Sequence, residues 1–214
     1  MSNSFTTTQI IAKEGWCNIG VVFALFLLSC WMDFGSHVMF VVLLLLIVVY
    51  RNPERIAAED DPFAVLAPVD GKIIAIERVE SNRDTKSLYV KIRSLPFDVS
   101  MVRSIASANI INVKTIHGLS LPPHKKEAEK LNERLDINFS CKDSSFAIRI
   151  LSGVFAGKIH LAKNRGNVKA GERIAFIADG AVELFLPFDS RIKLSVGDYV
   201  KGGESVIGYF SYKD

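Results

Sequence analysis

The sequence predicts a mostly β fold, a β-sandwich or barrel-like α+β domain, carried behind an N-terminal membrane helical hairpin. Three observations predict it. The first fifty residues hold two apolar runs, unlike anything that follows. After Arg51, short runs of Val, Ile, Leu and Phe are separated by Gly, Pro, Asn and Asp, the pattern of strands and turns. The chain has 214 residues, so the part beyond Arg51 is roughly one ordinary domain. A domain of that size buries a real core without a disulfide framework. The predicted organisation is an N-terminal segment at 1–15, the hydrophobic hairpin at 16–50, a linker at 51–68 and the β-rich domain at 69–214.

The two apolar runs are WCNIGVVFALFLLSCWM at 16–32 and VMFVVLLLLIVVY at 38–50, with the polar break DFGSH at 33–37 between them. Each is shorter than the about 20 residues that a bilayer span takes. The arms therefore either cross a thin bilayer or dip into one leaflet and return. Backbone polar groups in lipid must bond within the segment, so both arms should be helical. Trp16, Trp31 and Tyr50 stand near the run ends, where interfacial aromatic residues belong. A signal peptide fits poorly: the n-region is not basic, the apolar stretch is doubled and no small-residue cleavage pattern follows. Arg51 and Arg55 flank the second run, which by the positive-inside rule predicts a cytoplasmic domain.

Pro53, Pro62 and Pro68 predict an extended linker over 51–68. Strands are predicted at 72–79, 88–92, 110–116, 146–151, 173–177, 182–186, 191–194 and 205–210. A helix is predicted over 123–134, where Lys and Glu recur at helical spacing, and a short helical turn over 97–103. The chain also echoes itself: NVKAGERIAFI (167–177) resembles DYVKGGESVIGYF (198–210). A glycine followed by a glutamate after Val-Lys predicts the same tight turn launching a strand in both places.

The formal charge of +3 comes without a basic cluster, so no nucleic-acid partner is predicted. Cys17, Cys30 and Cys141 are scattered, and His37, His117, His124 and His160 form no metal pair, so no metal site is predicted. Phosphate loops, nucleophile elbows and paired-carboxylate signatures are all missing. Composition and spacing alone leave a tethered β domain of unknown function.

A collinear set of short motifs says more. EGW (14–16) opens the apolar region, followed by YRNPER (50–55), APVDGKI (67–73) and LPFDVSMVR (95–103). NER (132–134), ILSGVFAGKI (150–159), GERIAFIADGAVELFLP (171–187) and a closing VKGGESVIGYF complete it. In order and spacing this resembles the short bacterial type of phosphatidylserine decarboxylase over nearly the whole chain. The resemblance implies a proenzyme that cuts itself at a Gly-Ser bond and converts the serine into a pyruvoyl group. It implies an Asp-His-Ser set that drives the cleavage and a ketone that acts as an electron sink during decarboxylation of phosphatidylserine. It also implies a bacterial inner membrane.

Matched residue by residue, the family aspartate falls at Asp70, the histidine at Ser100 and the serine at Ala181, after Gly180. Two of the three are replaced. The only Gly-Ser pair in the sequence, Gly35-Ser36, lies in the break between the apolar runs. The expectation is a homologue that stays uncut at Gly180-Ala181 and holds no cofactor. Asp70 is then either a relic of the site or a turn residue. The expected partners are a phosphatidylserine-like headgroup and either a second copy or an active decarboxylase. Two alternatives stand beside it: an active decarboxylase cut elsewhere, or a lipoyl-like carrier suggested by the repeated turn.

Overall fold

Two helices open the chain in a computed structural model that describes residues 10–59, 61–81, 85–122, 127–141, 144–156 and 158–211. After a 3-10 turn at Lys13–Gly15 come α1 (Trp16–Trp31) and α2 (Ser36–Val49). Asp33 and Gly35 adopt positive φ between them, the left-handed backbone that lets the chain reverse within four residues. The helices return alongside each other: the Phe26 and Phe40 rings lie 5.9 Å apart, and Asn18 Nδ2 donates to Tyr50 Oη at 2.7 Å. The helical stretch Lys13–Trp31 is long and apolar enough to cross a membrane, and Ser36–Val49 is a shorter apolar helix. The helix begins inside the predicted break, so His37 is helical.

The second unit begins at Arg55. Its strands are β1 (Ala64–Leu66), β2 (Gly71–Ser81), β3 (Thr85–Ser94), β4 (Met101–Arg103) and β5 (Ala108–Ile116). A helical turn, α3 (Ala128–Leu131), precedes β6 (Arg134–Cys141), β7 (Ser144–Ser152), β8 (His160–Leu161) and β9 (Gly166–Val168). The last are β10 (Arg173–Phe176), β11 (Gly180–Pro187), β12 (Arg191–Ile192), β13 (Tyr199–Val200) and β14 (Val206–Tyr209). An eight-stranded sheet runs β13-β2-β3-β11-β7-β6-β5-β9, and two three-stranded sheets run β1-β14-β12 and β4-β10-β8. Every pairing is antiparallel. One core takes side chains from all three sheets, including Val65, Ile92, Phe139, Ile148, Ile174, Val182 and Ile207. The core face of the large sheet follows the two-residue period: Val182, Leu184 and Leu186 of β11 are buried in it.

The mostly β prediction holds, and every predicted strand overlaps an observed one. The predicted helix over 123–134 does not hold. Helix is present only at Ala128–Leu131, Arg134 already starts β6, and residues 123–126 lie outside the described residues. The sequence RLDINFSC alternates and pairs on both sides, and that burial outweighs the helical charge spacing before it. The predicted turn over 97–103 is instead β4 at its end, with all three residues buried against β10. The predicted linker contains β1. Six strands escaped the sequence reading: β1, β4, β6, β8, β9 and β13. All but β6 have two or three residues, too few to show a period.

The internal echo is a repeated turn. Glu172 N donates to Lys169 O at 3.0 Å, and Glu204 N to Lys201 O at 3.1 Å. Gly171 and Gly203 take φ of 74° and 76° at the third position of each, which gives type II turns.

Residues 55–59 strap onto the second turn and its strand. Arg55 forks onto Asp70, Ala58 N donates to Glu204 O at 3.0 Å, and Glu59 accepts from Tyr209 Oη and from Lys193 Nζ at 3.3 Å. The Tyr209 hydroxyl and then Lys193 hold the Glu59 carboxyl below its ordinary pKa. A lowered carboxyl pKa gives stabilisation that is complete above the unfolded-state value and lost as pH falls through the folded one. The Glu59 end of the strap should therefore become more protease-sensitive at acid pH. In Glu59→Gln it should be equally sensitive across the range, as read by limited proteolysis. Phe139 is fully buried and stacks on Phe146 with centroids 4.7 Å apart, so Phe139→Ala should cost about 3–5 kcal/mol in denaturant unfolding.

Candidate functional site

The register of the large sheet gathers the predicted positions. Lys72 of β2 pairs with Arg93 of β3, Arg93 with Ala181 of β11, Ala181 with Leu151 of β7, and Leu151 with Arg134 of β6. Adjacent strands lie about 4.8 Å apart, so Ala181 is about 10 Å from Lys72. Asp70 directly precedes β2, which places it at the same end of the sheet as Ala181. Ser100 is stitched to both neighbourhoods. Its carbonyl accepts from Ile177 N at 2.8 Å, and three residues on Arg103 N donates to Pro68 O at 2.7 Å. All three are buried: Asp70 is 4%, Ser100 1% and Ala181 0% exposed.

Proximity does not make a triad. Asp70 Oδ1 accepts from Arg55 Nη1 and from Gly202 N (2.8 Å), and Oδ2 accepts from Arg55 Nη2 at 2.6 Å. Arg55 Nη1 also reaches Gly202 O at 3.2 Å. The carboxylate thus joins the strap to the Val-Lys-Gly-Gly-Glu turn. Nearby, Tyr199 Oη donates to Asp98 Oδ1 at 2.6 Å. Partial burial, that hydrogen bond and the Asp98 charge push the phenol pKa well up, and the Asp70 charge adds to this.

Gly180 is held from three sides. Arg93 Nη1 donates to its carbonyl at 2.6 Å, and the same guanidinium places Nη2 2.9 Å from Asp179 Oδ1 as an ion pair. Asp179 Oδ2 accepts from Phe155 N at 3.1 Å, and its carbonyl accepts from Gly153 N at 2.9 Å. A Cβ on Gly180 would run into Leu151 O and Ile177, so the close strand approach needs glycine here. On the core face Gly180 lies between Ser94 and Ser152. Ser152 Oγ meets Ser120 Oγ at 3.1 Å, whereas the buried Ser94 Oγ has no hydrogen-bond partner among the described residues. Ala181 faces the other way and presents a methyl group.

On that opposite face a row of alternating charge crosses five strands: Lys91, Glu183, Arg149, Asp136 and Lys114 are successive register partners. Lys91 Nζ lies 3.0 Å from Glu183 Oε1, Tyr89 Oη donates to the same oxygen at 2.9 Å, and Arg149 Nε donates to Asp136 Oδ1 at 2.7 Å. Burial works against the Arg149 charge, but the Asp136 hydrogen bond and the charges of Asp136 and Glu183 outweigh it and raise its pKa. Lys91, Glu183 and Arg149 of this row line a groove of about 1340 Å³ with Tyr89, Phe185 and Phe188.

His117 is exposed, 3.9 Å from Glu133, and His160 is an exposed residue of β8 beside Phe176. His124 lies outside the described residues. Among the described residues no group of three or more His, Cys, Asp or Glu could hold a metal ion. Sequence reading missed Arg55, Arg93, Asp179 and the charged row. Only Arg55, Asp179 and Glu183 sat inside quoted motifs, and no spacing rule links them to partners 15 to 147 residues away.

A family model described as phosphatidylserine decarboxylase matches residues 43–208, from within α2 through nearly all of β14. The chain belongs to the phosphatidylserine decarboxylase family. A phosphatidylserine decarboxylase proenzyme of Neisseria gonorrhoeae is 31% identical over 212 residues, covering 96% of this chain and 81% of the relative. Proenzymes of the same name from Neisseria meningitidis serogroup C (32% over 205 residues, 92% and 76%) and Ehrlichia ruminantium (32% over 206 residues, 93% and 90%) match similarly. The family match therefore takes in the whole sheet end built around Asp70, Ser100 and Gly180.

Removing one partner of a buried ion pair leaves the other charged and unpaired, at about 3–5 kcal/mol. The Arg55 and Asp70 side chains are 10% and 6% exposed. Arg55→Met should therefore lower unfolding stability by about that amount, and Arg55→Met with Asp70→Leu should recover much of it. Thermal melts of the detergent-solubilised chain read both.

Proposed function

We propose that this chain is a non-catalytic member of the family, a membrane-anchored protein that binds a phosphatidylserine-like headgroup and regulates phospholipid metabolism. One observation carries the reading: the residue after Gly180 is alanine. Family chemistry needs a hydroxyl there to attack the Gly180 carbonyl, and the Ala181 methyl group supplies no oxygen. The group that the resemblance implies does not fit this site, so no pyruvoyl forms.

Two neighbours support the same reading. Ser100 stands where the family base is expected and does not accept a proton near neutral pH. The Asp70 carboxylate is occupied by Arg55 and Gly202, a structural use that needs no histidine. The groove on the Ala181 face of the sheet offers the headgroup charges of both signs: Arg149 and Lys91 suit phosphate and carboxylate, and Glu183 suits an ammonium group. The apolar helices hold the domain at the cytoplasmic face of the inner membrane, with Arg51 and Arg55 on that side. A second copy or an active decarboxylase is the partner through which it acts.

Intact mass of the solubilised protein should give one species at the full-chain mass, and Ala181→Ser alone should leave it uncut. Two fragments from the unaltered chain, the smaller with a blocked N-terminus, would restore the decarboxylase. Short-chain phosphatidylserine should bind the solubilised protein more tightly than phosphatidylcholine does. Arg149→Ala should weaken that binding about tenfold or more, since a hydrogen bond to a charged group contributes about 1.5–3 kcal/mol.

A further inference from the structure

The eight-stranded sheet has two unlike ends. β3 and β7 finish, and β2, β6 and β11 start, at the end that holds Asp70 and Gly180. The loops there carry exposed apolar side chains: Leu95 and Phe97 after β3, Leu119 and Leu131 before β6, and Val154 and Phe155 after β7. Phe97 is 63% and Phe155 74% exposed. Leu119 and Leu131 belong to this end because Leu119 N donates to Leu131 O at 2.7 Å, while Asn132 between strand and loop donates to Ser152 O at 2.7 Å. Isolated exposed apolar residues are ordinary, but six gathered on three loops at one end mark an interaction surface.

The far end is different. Its strands end at Ser81 and Thr85, and at Cys141 and Ser144. Its exposed ring, Phe188, lies beneath Arg78 at 4.9 Å and Lys86 at 5.9 Å.

What covers the apolar end follows from the tether. Arg55 is fixed to Asp70 and Gly202 at this same end. Four residues lie between it and Tyr50, which closes the apolar helices, and the five Cα–Cα steps reach at most about 18 Å. With the helices in a bilayer, covalent geometry keeps Arg55, the point where this end is pinned, within that distance of the end of the helices. Lys158, three residues after Phe155, is exposed and suits the phosphate level of a bilayer.

We propose that the loops bearing Phe97 and Phe155 dock into the bilayer interface, so that the Asp70–Gly180 end of the sheet faces lipid. The inference rests on the membrane-anchored part of the function proposed above, and it deepens that reading by naming the surface that meets the lipid.

The test uses the full chain with Cys17, Cys30 and Cys141 replaced by alanine. A polarity-sensitive fluorophore is attached through Phe97→Cys, Phe155→Cys or, as the far-end reference, Lys86→Cys. The proteins are reconstituted in vesicles of phosphatidylcholine and phosphatidylserine with brominated acyl chains. The labels at 97 and 155 should shift to the blue and be quenched several-fold more than the label at 86. Labels at 97 and 155 as water-exposed as that at 86 would overturn the docking, and would turn the apolar loops over to a protein partner. Phosphatidylserine binding by the solubilised unlabelled chain is scored separately. Intact binding with undocked loops overturns only this inference, and docked loops with no headgroup binding overturn only the headgroup reading.

Discussion

The Asp70 carboxylate is the point on which the domain's site end depends. It takes Arg55 from the strap and the Gly202 amide from the Val-Lys-Gly-Gly-Glu turn, and it directly precedes β2. Three segments far apart in sequence share one buried anion. A buried carboxylate is costly unless its lone pairs are filled, and here a bidentate guanidinium and a backbone amide fill them. The same contact fixes where the chain enters the domain after the apolar helices. An aspartate that the family resemblance assigns to self-cleavage is, in this chain, a structural fastener.

The register of β11 sets what lies next to what. Because side chains alternate, Gly180 faces the core between two serines, while Ala181 lies on the opposite face, the one that carries Glu183 and Phe185. Arg93 clamps the Gly180 carbonyl and reaches Asp179, so the connection into β11 is held by charge where glycine leaves no side chain. None of these contacts uses the Ala181 side chain, so the scaffold around Gly180 does not depend on what that position carries.

Much of this was legible in the sequence, and what was not has identifiable causes. Long strands such as β2 and β11 announced themselves through apolar runs bounded by Gly and Pro. The repeated Val-Lys-x-Gly-Glu announced a turn, and both copies adopt it. β6 was hidden because Asn132, Glu133 and Arg134 continue the charge pattern of the preceding segment, and only pairing with β5 and β7 decides the matter. β4 and β13 are too short to show alternation. Asp70, Ser100 and Ala181 were identifiable from motif order alone. Their real partners were not, because Arg55 with Asp70 and Arg93 with Gly180 are products of register and chain path.

The alternating row Lys91, Glu183, Arg149, Asp136 and Lys114 has an evolutionary consequence. Each of the three inner members is flanked on both sides by opposite charge, so reversing one of those signs sets like against like on both sides. Lineages that drift here would exchange neighbours together or neutralise a whole stretch, leaving correlated substitutions on strands that are not adjacent in sequence.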